Sequence, residues 1–265
     1  MTNEDVAHLL PLREPQIGIH TDIVLSIEKG TGKCGAAGCV HVLFRGLEYV
    51  ITCHHVLKND RDYFTGPLRL KKDMIEEDMK HEVPPMEFIG SDIACDVAVF
   101  RLKGIQLQDI PKSAYDLSQS PFTFDNLSKN LGLLSFIYGT PGFAQRYFQY
   151  PDLVLYMNTP VYIAHGPIME VLPEKIVSDF AEKDLLELNT NVAPQLVGFQ
   201  PSGGARDLRG MSGSGLWIYS GLSDKFELAG ILRGRNDHCD LATEHLINFC
   251  PVWKLTEFLE SLIPS

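Results

Sequence analysis

The sequence predicts an all-β fold: two packed antiparallel β-barrels followed by a short C-terminal α-helix. Three observations carry that reading. Short apolar runs, patterned as strands and bounded by turn residues, fall into two groups. A polar connection from Lys103 to about Asn130, with Pro111, Pro121 and several serines, separates the groups. The final segment, VWKLTEFLESLI, has helical spacing, with Val252, Leu255, Phe258, Leu259 and Leu262 on one face.

Taken in order, Ile23 to Ile27 is an apolar run ended by the turn composition Lys29-Gly30-Thr31-Gly32. CVHVLF and LEYVITC flank Arg45-Gly46 and read as a β-hairpin. In the first arm Val40, Val42 and Phe44 alternate with other residues, the period of a half-buried strand. Residues 59–85 are charged, end in Pro84-Pro85 and read as an excursion between strands. MEFIG and DVAVFRL are the next strands. After the polar connection come LLSFIYG, FQYPDLVLYM and VYIAHG. Residues 173–188, PEKIVSDFAEKDLLEL, have helical spacing and read as an inserted helix. SGLWIYS and FELAGILRG are the last strands. The expected organisation is a leader over residues 1–20, a first barrel over 21–110, a second over 111–250 and the helix over 251–265.

Composition narrows the function classes. The 265 residues are 45% hydrophobic and 22% charged, the balance of an ordinary globular chain with a sizeable core. Twenty-three basic residues against 34 acidic ones give a net charge of −11, which repels phosphate backbones and anionic lipid. Short basic clusters such as Lys71-Lys72 read as solvated surface, so no nucleic acid is expected as partner. No window reaches the roughly 18 consecutive apolar residues of a bilayer span. The opening, MTNEDVAHLLPLREPQ, lacks the basic-then-apolar pattern of a secretory signal. A cytoplasmic protein with reduced thiols is therefore expected. Most of the six cysteines (Cys34, Cys39, Cys53, Cys95, Cys239 and Cys250) read as small buried side chains. Cys34, Cys39 and His41 lack a second ligand pair at zinc spacing, so neither a metal nor a cofactor is expected.

Hydrolysing a peptide bond without a metal needs a nucleophile, a base, an acid that orients the base, and donors for the oxyanion. LRGMSGSGLW offers Ser212 as nucleophile. Its flanking glycines let the chain turn tightly, so that the N–H groups of Gly210 and Ser212 converge as oxyanion donors. VITCHHVL offers the base where an apolar strand ends in two histidines; His55 is preferred and His54 competes. CDVAVFRL offers the acid. Asp96 opens an apolar strand, a costly place for a carboxylate unless a partner pairs with it. Asp92, ahead of a shorter apolar run, is the competing acid.

TCHHV, DVAVFRL and GMSGSG resemble the three signature blocks of the chymotrypsin/trypsin-like serine peptidases, in that family's order of His, Asp and Ser. FIYGTPG and ELAGILRG resemble the strands that precede and follow the family's nucleophile loop. The resemblance implies two six-stranded barrels, the catalytic triad His55, Asp96 and Ser212, and a protein or peptide substrate. It also marks departures. Met211 stands where secreted members carry the acid that pairs with a new amino terminus, so that activation route is closed. Ser214 and Leu216 replace a common glycine and a common proline. The likeness is therefore to the intracellular-type branch, with a narrow substrate or activation by a protein partner expected. The alternative is a silent peptidase-like module that binds peptides. By the resemblance, the residue six before the nucleophile, Arg206, with Asp207 beside it, sits at the base of the primary specificity pocket. Arg206, with Arg233 and Arg235 near the cleft strand, then favours an acidic residue before the scissile bond, whereas Asp207 would favour a basic one or neutralise its neighbour.

Overall fold

The computed structural model describes residues 16–31, 34–67, 85–102, 113–139, 148–149, 154–155, 161–180, 186–188, 197–198, 210–220, 223–233 and 246–263. The first sheet comprises β1 (Thr21–Glu28), β2 (Cys34–Phe44), β3 (Leu47–Thr52), β4 (Arg61–Pro67), β5 (Met86–Asp92) and β6 (Val97–Leu102). They run in the order β4-β1-β2-β3-β6-β5, all neighbours antiparallel. An antiparallel bridge between Phe64 and Pro85 brings the two ends of that order together. The short strand β7 (Tyr115–Asp116), past the boundary expected at 110, pairs in parallel with β2.

The second sheet contains β8 (Leu134–Gly139), then, beyond the separate hairpin of β9 (Phe148–Gln149) and β10 (Val154–Leu155), β11 (Val161–Leu172) and β12 (Lys175–Asp179). It continues through β13 (Leu186–Leu188), β14 (Val197–Gly198), β15 (Gly215–Ser220), β16 (Lys225–Leu232) and β17 (Leu246–Pro251). Because β12 pairs with both β17 and β11, the strands β12-β17-β16-β15-β8-β11 form a closed ring of hydrogen bonds. A helix over Val252–Leu262 ends the described chain. Among the described residues, no helix is long and apolar enough to cross a membrane.

Local chemistry accounts for most of these elements. Arg45 and Gly46 both have positive φ, as the two-residue hairpin turn requires. Val97 to Phe100 are fully buried, which fits a strand paired on both sides and covered on both faces. The terminal helix buries Val252, Leu255 and Leu259 and leans Leu262 against Gly90 of β5, so it spans from the second barrel to the first. A single apolar core joins Val40, Val97 and Val99 of one barrel to Phe136, Trp217 and Leu228 of the other. A continuous apolar interface of this kind holds two units in fixed register.

Two expectations need correction. Among the described residues of 173–188 the helical spacing does not become a helix: Lys175–Asp179 is β12, reached by a tight turn at Pro173–Glu174. Ile176, Val177 and Ser178 are all buried in a strand paired along both edges and so covered on both faces. Tertiary closure overrides the local period here. Residues 61–67, expected within an excursion, form β4 against β1. Residues 68–84 lie outside the described residues.

Candidate active site

β3 ends at Thr52, and the chain enters a single 3-10 turn at His54–Val56. Asp96 is the last residue of the turn joining β5 to β6, its N–H donating to Ile93 O at 3.2 Å. Its φ of 52° lies in the left-handed region, which Asp and Asn tolerate better than other side-chain-bearing residues. That backbone places the carboxylate against the 3-10 turn. The His55 N–H donates to Asp96 Oδ1 at 3.0 Å, and His55 Nδ1 lies 2.8 Å from Oδ2. The His54 N–H donates to Asp96 O at 3.1 Å. Facing a carboxylate, Nδ1 is the protonated nitrogen, which leaves Nε2 as the basic one. The Asp96 side chain is 17% exposed and that of His55 45%, so the couple has a sheltered acid and an accessible base.

The competing residues occupy other places. Asp92 Oδ1 accepts from the N–H groups of Ala94 at 2.8 Å and Cys95 at 3.1 Å, capping the turn that presents Asp96. His54 Nδ1 is buried with no hydrogen-bond partner among the described residues. Neither residue is brought to the His55–Asp96 couple by a side-chain contact.

Cys53 lies beneath this couple. Burial, then the nearby Asp96 charge, pushes its thiol well above the ordinary range. It remains a neutral donor, held to Leu232 O of β16 at 2.7 Å. Ligand atoms of Cys53, His55 and Asp96 lie within 4.8 Å of one another. A metal there would need the Cys53 thiolate that burial opposes, and both Asp96 oxygens already accept from His55. The set therefore fits a proton relay better than a metal centre.

The loop that carries Ser212 comes from the second barrel. The Ser214 N–H donates to Met211 O at 2.9 Å, closing a four-residue turn with Ser212 second and Gly213 third. Gly213 has φ 92°, the conformation that a glycine at the third place of such a turn supplies. Its N–H reaches Leu232 O at 2.9 Å. Among the described residues neither the Gly210 nor the Ser212 N–H meets an acceptor. Met211 is fully buried in a separate apolar cluster of the second barrel, with Ile137, Leu216 and Phe249. Ser214 is also fully buried, its Oγ without a partner, whereas Ser212 opens on a cavity. That cavity, about 300 Å³, is lined by His55, Ser212 and Gly210 together with residues of β1, β2 and β4.

The loop meets the first barrel through backbone. A Cβ on Gly213 would overlap Gly38 O and Thr52 Oγ1 and lie 3.0 Å from Thr52 Cα. Gly38 in turn sits against the Ser214 N–H and Met211 O. Gly213→Ala is therefore expected to lower stability by about 3 kcal/mol or more, since steric overlap and left-handed strain act together. A urea midpoint measured against the parent chain checks this. A change under 1 kcal/mol would mean that the barrels part easily at this seam.

Of the remaining sequence-predicted residues, Arg206, Asp207 and Arg235 lie outside the described residues. Arg233 Nη2 donates to Ala94 O at 2.6 Å, bridging the end of β16 to the turn that carries Asp96. Sequence reasoning missed three residues that line the cavity: Lys58, just ahead of the segment read as an excursion, and Arg61 and Tyr63 within it. The alternation in RDYFTGP was the available signal, obscured by its charges.

No family model matches the chain, and no curated protein matches it. Its structure is similar to the crystal structure of the serine endoprotease from Yersinia pestis, at 14% sequence identity and a TM-score of 0.55. The likeness covers 97% of this chain and 66% of that one, so the chain spans just under two thirds of that structure's length. With two antiparallel barrels, a terminal helix and this neighbour, the fold is chymotrypsin-like.

Proposed function

We propose that the chain is a serine endopeptidase that cleaves protein substrates through an acyl-enzyme, with His55, Asp96 and Ser212 as its triad. The observation that carries this reading is that His55, paired with Asp96, lines one cavity with Ser212. His55 Nε2 takes the Ser212 proton as Oγ attacks the substrate carbonyl, and Asp96 stabilises the imidazolium that results. The Gly210 and Ser212 N–H groups hold the tetrahedral oxyanion. His55 then protonates the leaving amine, and water hydrolyses the ester by the same relay.

Among the described residues, the hydrogen bonds of His55 run to Asp96 and none joins it to Ser212. Such bonds are often long before substrate binds. Met211, apolar and buried, leaves no acid beside the nucleophile to receive a new amino terminus. Control of activity therefore falls to a narrow substrate or to a partner that orders the Ser212 loop.

A fluorescent organophosphonate is expected to label the protein at Ser212. Labelling persists in Ser214→Ala and disappears in Ser212→Ala. Label on Ser214 would move the nucleophile. No label on the full chain under any condition would favour a peptide-binding module instead.

A further inference from the structure

The cavity beside Ser212 has a charge that the catalytic reading does not use. Beyond His55, Gly210 and Ser212, it is bounded by small residues (Gly35, Ala36 and Ala37 of β2) and by Lys58, Arg61 and Tyr63. Two cations and, among the described residues, no carboxylate line it.

Arg61 is held by its side chain and Lys58 by its backbone. The Tyr63 hydroxyl accepts the Lys58 N–H at 2.6 Å and donates to Lys58 O at 3.0 Å, while its ring packs 5.1 Å from that of Phe100. The Lys58 backbone is thus fixed beside the His54–Val56 turn, and its ammonium has no carboxylate partner among the described residues. Arg61 is more buried, with only 12% of its side chain exposed. Its Nη1 donates to Ser26 Oγ at 2.9 Å. Gly35 makes room for it, since a Cβ there would lie 3.2 Å from Arg61 Nη1. Among the described residues, the countercharge close to the guanidinium is Glu28, 4.0 Å from Nη2 and also bound by Thr31 Oγ1 at 2.7 Å. Arg61 therefore keeps donors and charge for a ligand.

Chemistry decides which half of a substrate meets these groups. The acyl half stays bonded to Ser212. The leaving half departs with a proton from His55, so it passes on the first-barrel side, where the chain runs from His55 through Val56 to Lys58. We propose that this cavity is the leaving-group subsite, and that Lys58 and Arg61 make it select an aspartate or glutamate within the first two residues after the scissile bond. This rests on the peptidase reading above. The carboxylate meets a half-buried guanidinium and an ammonium with no carboxylate partner among the described residues, the charge-assisted setting in which such bonds are strongest.

Digesting a proteome-derived peptide library and sequencing both new ends tests the proposal. Acidic residues are expected to be enriched over Lys and Arg by about tenfold within two places after the cut. The preference shrinks toward 1 M salt, where the Debye length is about 3 Å. Lys58→Glu, at an exposed position, is expected to invert the ratio of acidic to basic residues there. Arg61→Gln provides a second reading of the same ratio. A flat profile after the cut, or one unchanged in both variants, overturns the subsite while Ser212 still reacts with the organophosphonate. So does an acidic preference confined to the residue before the cut. Absence of both labelling and cleavage overturns the peptidase reading, and the subsite falls with it.

Discussion

Ser212→Ala is expected to lower kcat about a million-fold on a peptide chosen from the library, and His55→Ala by a similar factor. The double variant should be no worse than either single one. Oγ is a poor nucleophile with its proton in place, and Nε2 has nothing to activate when Oγ is absent, so each change removes the same reaction step. What survives comes from substrate binding and the Gly210 and Ser212 N–H groups, which neither substitution alters. Ser212 is half-buried at the second place of its turn, so Ala there costs little stability and the activity loss is not a folding loss. Turnover per mole of folded protein, with the Tm measured on the same sample, separates the two. Additive losses would show that Ser212 and His55 work independently and would remove the relay.

The strands that carry the site were legible because their chemistry is local. β3 and β6 are apolar runs paired on both sides, and their ends fall where TCHHV and DVAVFRL change character. The turn at Met211–Ser214 was legible from its glycines. Elements whose identity depends on distant partners were not. The segment of β12 has a helical period, and only pairing with β11 and β17 makes it a strand. In β4, Arg61 and Tyr63 border a cavity that exists only once β1, β2 and the Ser212 loop have met. The choice between Asp92 and Asp96 was open for the same reason. Both precede apolar residues, and only the turn between β5 and β6 distinguishes a carboxylate that caps N–H groups from one that reaches a histidine.

Asp96→Asn tests that distinction with the least disturbance, because Asn shares both the shape of Asp and its tolerance of left-handed backbone. The consequence follows from the two hydrogen bonds now made to His55. The backbone N–H of His55 needs an acceptor, so the Asn oxygen takes the place of Oδ1. Its NH2 group must then face Nδ1, where Oδ2 stood. A donor opposite Nδ1 makes that nitrogen the acceptor and moves the ring proton to Nε2. The base is then protonated on the nitrogen that should receive the Ser212 proton. A fall in kcat of about 10⁴ is expected, with KM and Tm little changed. Asp92→Asn is the matched control, since its side-chain oxygen still accepts the Ala94 and Cys95 N–H groups and its activity should stay within a few-fold of the parent. Asp96→Ala is less informative, because it removes the carboxylate that pins the His54–Val56 turn and forces alanine into a left-handed conformation. If Asp92→Asn proved the damaging change and Asp96→Asn the silent one, the acid of the relay would be misassigned, and the left-handed turn at Asp96 would have no catalytic purpose.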